Sequence, residues 1–270
     1  MANVWTLTKL LVFLRYKKFK ADLQYPANFV SEMIGTAFIG VGDILMLWIP
    51  SLAFKTIGGW NFWQLGFVFT LWKLAHGLHA FMFGAFLGHD DLIRDGEYDR
   101  LLVRPVHPLF QIVASDSWPA DALSEWIPSF TMLLVTAPHV QVPWTALTIA
   151  WVILIVISGA VIEWAVSLFI SVFGFFFTRT NNLRGIASTF LFRVAHFPAH
   201  IYGRVFAFVL TFVFPYAFMA YYPTHYFFKL DVQLYSTAFP YITPLVALIL
   251  LAIAMLFWRI GLGHYQSTGS

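Results

Sequence analysis

The stretch WTALTIAWVILIVISGAVIEWAVSLFISVFGFFF, which runs from Trp144 to Phe177, decides the fold class. Within it, Glu163 is the only residue that carries a full charge. A helix that crosses a bilayer needs about 20 predominantly apolar residues, because each residue adds about 1.5 Å of length. The stretch therefore predicts a transmembrane helix. It is longer than the bilayer requires, so we expect it to tilt or to project into the cytoplasm.

The composition of the whole chain agrees with membrane burial. Its 270 residues are 60% hydrophobic and 11% charged, whereas a soluble domain carries about 25% charged residues. The absence of cysteine excludes a disulfide framework and a thiolate metal site. The net charge of +3 is small and concentrates at segment ends, so it indicates membrane topology and no nucleic-acid partner. We predict an all-α membrane protein.

Six stretches are apolar enough in the sequence to be predicted as spans. The six predicted transmembrane helices are residues 30–54, 62–87, 123–136, 144–177, 205–222 and 241–258. Asp116, Asp121 and Glu125 stand at the entrance of the third span. No internal repeat interrupts this pattern, so we expect a single domain over residues 1–270, with a six-helix membrane region at 30–258.

Basic residues predict the orientation of the spans. If the N-terminus is cytoplasmic, only Lys55 and Lys229 lie on the far side, and Lys73 lies within a span. Both termini are then cytoplasmic, and residues 259–270 form a cytoplasmic tail. Residues 1–28 carry their charges after a short apolar stretch, which reverses the order of a signal peptide. We expect an amphipathic helix there, lying on the cytoplasmic membrane surface in contact with lipid.

Two connections between predicted spans stand out. Residues 88–108, GHDDLIRDGEYDRLLVRPVHP, are acidic and basic in alternation and end at a helix-stopping proline. They predict either a short amphipathic helix that docks a cytosolic partner or a solvated loop. Residues 221–240 on the outer side are aromatic and contain proline. They predict either short half-helices that dip into the outer leaflet or an aromatic interface belt.

Charged groups inside spans suggest functional candidates, because burying them is costly. Asp43 and Lys73 lie at similar depth in two antiparallel spans, which predicts an ion pair; the alternative is that one of them faces a transport path. Glu163 either contacts a cationic substrate or bonds to a neighbouring helix. Gly159 and Ala160 near it predict a close helix approach, as do Gly35, Gly40 and Gly42 in the first span.

The histidines do not by themselves predict a metal site. His76 and His79 share one helical face, but no third ligand accompanies them in the sequence. Packing or hydrogen bonding is the favoured interpretation, so no metal site is expected. His196 and His200 lie one helical turn apart and predict interfacial anchoring, with sensitivity to cytosolic pH as the alternative.

Three segments together carry a family resemblance. They are the motif formed by Gly96, Asp99, Leu102, Arg104 and Pro105, the stretch FPAHIYGRVFAFVLTFVFPYAFMAYYP at 197–223, and the tail GLGHYQSTGS at 261–270. The chain resembles ABC-2 type transporter permeases, in a bacterial branch of similar length. That resemblance implies the ABC-2 (type V exporter-like) permease fold, with an N-terminal connecting helix and a cytoplasmic coupling helix. It places the chain in the bacterial inner membrane.

The resemblance also implies partners and site residues. Such permeases pair with an identical or paralogous second permease and are driven by a cytosolic ABC ATPase dimer, and most of them export. ATP and Mg²⁺ would bind to the ATPase, because this chain has no phosphate-binding G-x-x-x-x-G-K-[ST] motif. No catalytic residue is expected here. The residues predicted to couple to the ATPase are Asp91, Arg94, Asp95, Gly96, Glu97, Asp99, Arg100, Arg104 and Pro105.

Two other functions stay open on the sequence. A stand-alone secondary transporter would use Asp43 or Glu163 to carry protons, but it leaves the charged connection at 88–108 without a purpose. An intramembrane lipid-modifying enzyme would need its catalytic groups at one depth, and the candidate residues are scattered along the spans.

Overall fold

The computed structural model describes residues 4–83, 92–93, 95–115, 119–177, 181–228 and 234–265. These residues are predominantly helical, and within them the only strand-like pairing is an isolated backbone bridge between Ile57 and Trp60. The all-α prediction is therefore confirmed for the described part of the chain.

The helices follow one another with short connections. They are α1 (Val4–Asp22), α2 (Pro26–Ala53), α3 (Phe62–Phe83), α4 (Tyr98–Leu102), α5 (Pro108–Ser115), α6 (Pro119–Thr136), α7 (Ala146–Val172), α8 (Asn181–His196), α9 (Gly203–Phe208), α10 (Tyr221–Phe228) and α11 (Phe239–His264). A 3₁₀ turn, Phe173–Phe175, extends α7, and a π-helical turn, Val209–Val213, extends α9.

Polar side chains fix the starts of two long helices. The Thr145 hydroxyl accepts the backbone N–H of Thr148 at the start of α7, and the Thr148 hydroxyl accepts the backbone N–H of Thr145. Asn61 and Gln64 exchange the same pair of bonds at the start of α3. These reciprocal bonds satisfy backbone donors that the first turn of a helix leaves without a partner.

Helix α3 is the centre of the molecule. Its residues from Leu65 to Ala75 are buried, and it packs against α6 on one side and α7 on the other. Two glycines permit the close approach: a Cβ at Gly77 would lie 2.7 Å from the Trp126 side chain, and a Cβ at Gly159 would lie 2.8 Å from Ala75. The predicted close approach at Gly159 is therefore confirmed.

Helix α2 lies at the edge of the molecule and exposes a broad apolar face. Phe38 is 74% exposed, and no atom lies within 4 Å of a Cβ built at Gly35, Gly40 or Gly42. The prediction that these three glycines allow close helix contact is wrong within the described part of the chain: Gly35 and Gly42 are exposed, and Gly40 borders a gap between α2, α3 and α6. A face of this kind suits lipid contact or helix association in a membrane.

The structure contains three helices that are long and apolar enough to cross a membrane, counted over the described residues. They are Pro26–Ala53, Ala146–Phe175 and Phe239–His264. A bent pair, Ala199–Val213 with Tyr216–Phe228, counts as a fourth if it forms one span. Helix α3 is long enough, but Lys73, His76 and His79 lower its hydropathy. The six-span arrangement therefore stays a prediction.

The predicted fifth span, 205–222, is not a continuous helix. The chain bends by 79° between Val213 and Tyr216. The π-helical turn ends with the Phe214 N–H bonded to the Val209 carbonyl, and Pro215 has no N–H with which to continue the helix. Helix α8 precedes this bend and was not predicted, because its sequence NNLRGIASTFLFRVAH mixes polar and apolar residues.

Candidate functional site

Lys73 lies at the centre of a buried group of charges that joins three helices. Its Nζ atom is 3.2 Å from Oδ2 of Asp43 on α2 and 2.7 Å from Oε2 of Glu125 on α6. The Lys73 residue is 4% exposed, so an unpaired ammonium here would carry a large desolvation cost. The predicted contact between Asp43 and Lys73 is present, and Glu125 is an additional partner that the sequence did not indicate.

Asp43 extends the group to α8. Its Oδ1 atom lies 3.1 Å from Nε2 of His196, and Nδ1 of His196 lies 2.9 Å from the Phe192 carbonyl. We name Asp43, Lys73, Glu125 and His196 the Lys73 network. The network ties α2, α3, α6 and the end of α8 together, and His196 is buried within the chain.

A second polar group lies on α3 and α7. Oε1 of Glu163 is 2.7 Å from Nδ1 of His76 and 3.3 Å from Nδ1 of His79. The Glu163 side chain is buried, and the His76 ring stacks on Trp72 with 5.3 Å between ring centroids. We name His76, His79 and Glu163 the His–Glu cluster. Glu163 thus bonds to a neighbouring helix, as one of its two predicted roles requires.

A cavity of about 350 Å³ lies beside both groups. Helices α2, α3, α6, α7 and α8 all contribute to its wall, and Ile39 and Phe192 are among its apolar lining residues. Lys73, Glu125, the His–Glu cluster and Arg184 all line it. Cavities of this size hold small molecules, and a few convergent polar groups orient what is bound.

The connection between α3 and α5 is anchored by a buried tyrosine. Tyr98 of α4 is fully buried against Phe175, at the end of α7, and Tyr265, at the end of α11. The Tyr265 hydroxyl donates to Oδ1 of Asp99 at 2.9 Å. Burial raises the pKa of the Tyr98 phenol, and burial with the Asp99 carboxylate raises the pKa of Tyr265 to about 12. Both phenols are therefore protonated at neutral pH.

The predicted coupling residues divide into anchored and exposed positions. Asp95, Glu97, Arg100, Arg104 and Pro105 are exposed, whereas Asp99 is half-buried beside Tyr265. Gly96 has a φ of +73°, a left-handed conformation that glycine adopts readily. Gln111 of α5 donates to the Leu101 and Val106 carbonyls and so holds the end of the segment. Asp91 and Arg94 lie outside the described residues.

Comparison with protein families identifies the chain. The family model described as ABC-2 family transporter protein matches residues 37–269. The chain belongs to the ABC-2 transporter family. The match covers most of the chain, including the Lys73 network, the His–Glu cluster and the anchored connection. Together with its apolar helices, it makes this ABC-2 protein a multi-pass membrane protein and a transporter component.

Two further comparisons give no match to the ABC-2 chain, one with curated proteins and one with solved structures. The family assignment confirms the resemblance drawn from the motifs at 96–105, 197–223 and 261–270.

Proposed function

We propose that the chain is the membrane-spanning permease subunit of an ATP-binding-cassette exporter, driven by a separate cytosolic ATPase dimer. The observation that carries this proposal is the anchored segment α4. The exposed charged residues in α4 and directly beside it are Glu97, Arg100 and Arg104, whereas the buried Tyr98 of α4 is packed against the ends of α7 and α11. Such a segment offers charge to a partner and is attached to two long helices.

In this proposal, the attachment lets α4 transmit force from the ATPase to the ends of α7 and α11. Tyr98 belongs to the same hydrophobic cluster as Leu168 of α7 and Trp258 of α11. Because a packed cluster moves as a unit, a force on the exposed charges of α4 would displace the ends of both helices. ATP binding to the ATPase dimer would supply that force, and hydrolysis would reset it.

The remaining architecture follows the family pattern in this proposal. Six spans cross the bacterial inner membrane with both termini in the cytoplasm, and α1 is the connecting helix on the cytoplasmic surface. Its Leu7, Leu10, Leu11 and Leu14 are less exposed than its other side, and it packs against α5. A second permease, identical or paralogous, would complete the path. ATP and Mg²⁺ would bind only to the ATPase.

Charge reversal on α4 tests the proposal. The ATPase is isolated by co-purification with the wild-type chain from native membranes, and its retention is then compared between variants. Glu97→Lys should lower the amount of bound ATPase several-fold, because a basic surface of the ATPase that attracts the glutamate would repel the lysine. The control is Lys55→Glu, a charge reversal of the same size and opposite sign. Lys55 is exposed and lies before the start of α3, at the end of that helix opposite α4.

Two results would contradict the proposal. One is transport by the purified chain alone in vesicles, driven by an ion gradient, which would support a secondary transporter. The other is an equal loss of ATPase in Glu97→Lys and Lys55→Glu, which would mean that α4 is not the docking segment.

A further inference from the structure

The His–Glu cluster brings three metal-ligating side chains together from two helices. His76 and His79 project from α3, and Glu163 projects from α7, with their candidate ligand atoms all within 4.8 Å of one another. We propose that these residues bind a divalent transition-metal ion of the zinc class at the wall of the cavity. The sequence alone did not predict the site, because its third ligand lies 84 residues beyond His79 in the chain.

The hydrogen bonds within the cluster leave polar atoms unused. Oε2 of Glu163 and Nε2 of His79 are buried and have no hydrogen-bond partner among the described residues. A buried polar atom without a partner costs about 1–3 kcal/mol, so a native structure retains one only for a reason. Glu163 is 4% exposed and lines the cavity. A cation bound to Oε2 of Glu163 would use the carboxylate oxygen that the described residues leave free, and the Nδ1 atoms of His76 and His79, which now contact Oε1, would turn to the ion.

The ligand types select the metal. Two imidazoles and one carboxylate suit Zn²⁺ and the neighbouring ions Co²⁺, Ni²⁺ and Cu²⁺, whereas Mg²⁺ and Ca²⁺ prefer oxygen ligands alone. Ligands at about 2.0–2.1 Å from a tetrahedral ion lie about 3.3 Å apart. Nδ1 of His79 and Oε1 of Glu163 already have that separation, at 3.3 Å. The 2.7 Å contact between His76 and Glu163 would open by about 0.6 Å.

The geometry leaves the fourth coordination position to the cavity, since all three ligands line it. Water or a donor atom of a transported molecule would occupy that position. The surrounding charges make Glu163 indispensable for a cation. The positive charge of Lys73, one turn before His76, is offset by Asp43 and Glu125, and Glu163 supplies the negative charge among the three ligands.

The site is tested on the purified chain without any ATPase, so its result is independent of the proposed permease function. The protein is stripped with a chelator and titrated with Co²⁺, whose visible absorption reports coordination. We expect one Co²⁺ per chain, displaced by Zn²⁺ and not by Mg²⁺. Glu163→Gln and His79→Gln should each weaken Co²⁺ binding by at least about tenfold, as the loss of a ligand requires.

The matched control is His264→Gln, which removes an exposed histidine of α11 and should bind Co²⁺ like the wild type. If a variant fails to fold, a measurement on the wild-type chain still tests the proposal. Pulsed electron paramagnetic resonance of Cu²⁺ bound to the wild-type chain should detect two imidazole nitrogens. Fewer than two imidazoles, no stoichiometric binding, or binding that persists unchanged in folded Glu163→Gln would overturn the proposal.

Discussion

Lys73 shows how one buried charge can connect several helices. Its ammonium group lies between the carboxylates of Asp43 and Glu125, and Asp43 also contacts His196. A buried ion pair does not guarantee stability, because desolvation opposes the attraction, but the removal of one partner is strongly destabilising. The central cation of a three-helix group is therefore the partner whose loss should matter most.

Replacement of Lys73 with methionine should lower the unfolding temperature in detergent markedly. The change keeps an unbranched side chain that is one atom shorter, but it leaves two carboxylates without their shared cation, at a cost of about 3–5 kcal/mol. Asp43→Asn should cost less, since Lys73 retains Glu125. The control is Lys55→Met, an exposed lysine, which should match the wild type. Equal stability of Lys73→Met and the wild type would rule out a structural role for the network.

Contacts between individual residues could be predicted from the sequence only where both residues lie at a similar depth in neighbouring predicted spans. Asp43 and Lys73 lie near the middles of two predicted consecutive antiparallel spans, so their predicted depth alone placed them together. Glu125 stood at the entrance of a weakly apolar segment, and His196 lay in a helix that hydropathy did not detect. Long-range partners of this kind depend on how helices pack laterally, which periodicity along one chain does not encode.

The contact between α3 and α7 depends on the absence of a side chain at Gly159. A Cβ there would approach the Ala75 Cβ to 2.8 Å, and cores at native density tolerate extra volume poorly. The same two helices carry the His–Glu cluster. Their spacing therefore sets both the packing of the core and the distance between the imidazoles and Glu163.

Gly159→Val should destabilise the folded chain by about 1–3 kcal/mol or more, because the added methyl groups force α3 and α7 apart. Thermal unfolding in detergent measures the effect. Gly185→Val on α8 is the matched control, since nothing lies within 4 Å of a Cβ built there. If both variants unfold at the same temperature, the close approach of α3 and α7 is not what Gly159 provides.

Tyr98 should hold α4 in place against the ends of α7 and α11. Tyr98→Ala removes a fully buried ring, so we expect trypsin to cleave after the exposed Arg100 several-fold faster, as measured by mass spectrometry. Tyr265→Phe, which loses only the hydrogen bond to Asp99, should have a smaller effect. Tyr16→Ala on the exposed side of α1 serves as the control. Cleavage at Arg100 that is unchanged in Tyr98→Ala would contradict the anchoring.

The long apolar helices were easier to predict from the sequence than the points at which a helix is interrupted. Apolar stretches of sufficient length gave α2, α7 and α11 close to their observed bounds, because backbone burial in a membrane requires helix. The bend at Pro215 and the mixed helix α8 escaped the same reasoning. A proline inside an apolar run is compatible with a kinked span or a broken one, and only the packing around it decides between them.

The orientation of the whole molecule gives a topological prediction. The chain has no cysteine, so a single introduced cysteine can be labelled without background. In intact cells a membrane-impermeant maleimide should label Lys55→Cys and not Val103→Cys, and permeabilised cells should allow both. Val103 is 84% exposed in the chain alone, so protection in intact cells that is lost on permeabilisation would reflect its location. Labelling of Val103→Cys in intact cells would reverse the proposed topology.

The decisive measurement is photo-crosslinking from position 103, with a photoreactive amino acid placed there in native membranes. The coupling account predicts a crosslink to a cytosolic ATPase subunit, identified by mass spectrometry. It predicts none to that subunit from position 55, at the other end of α3. A chain that is folded and active, yet forms no crosslink from position 103 to any nucleotide-hydrolysing protein, would contradict the account.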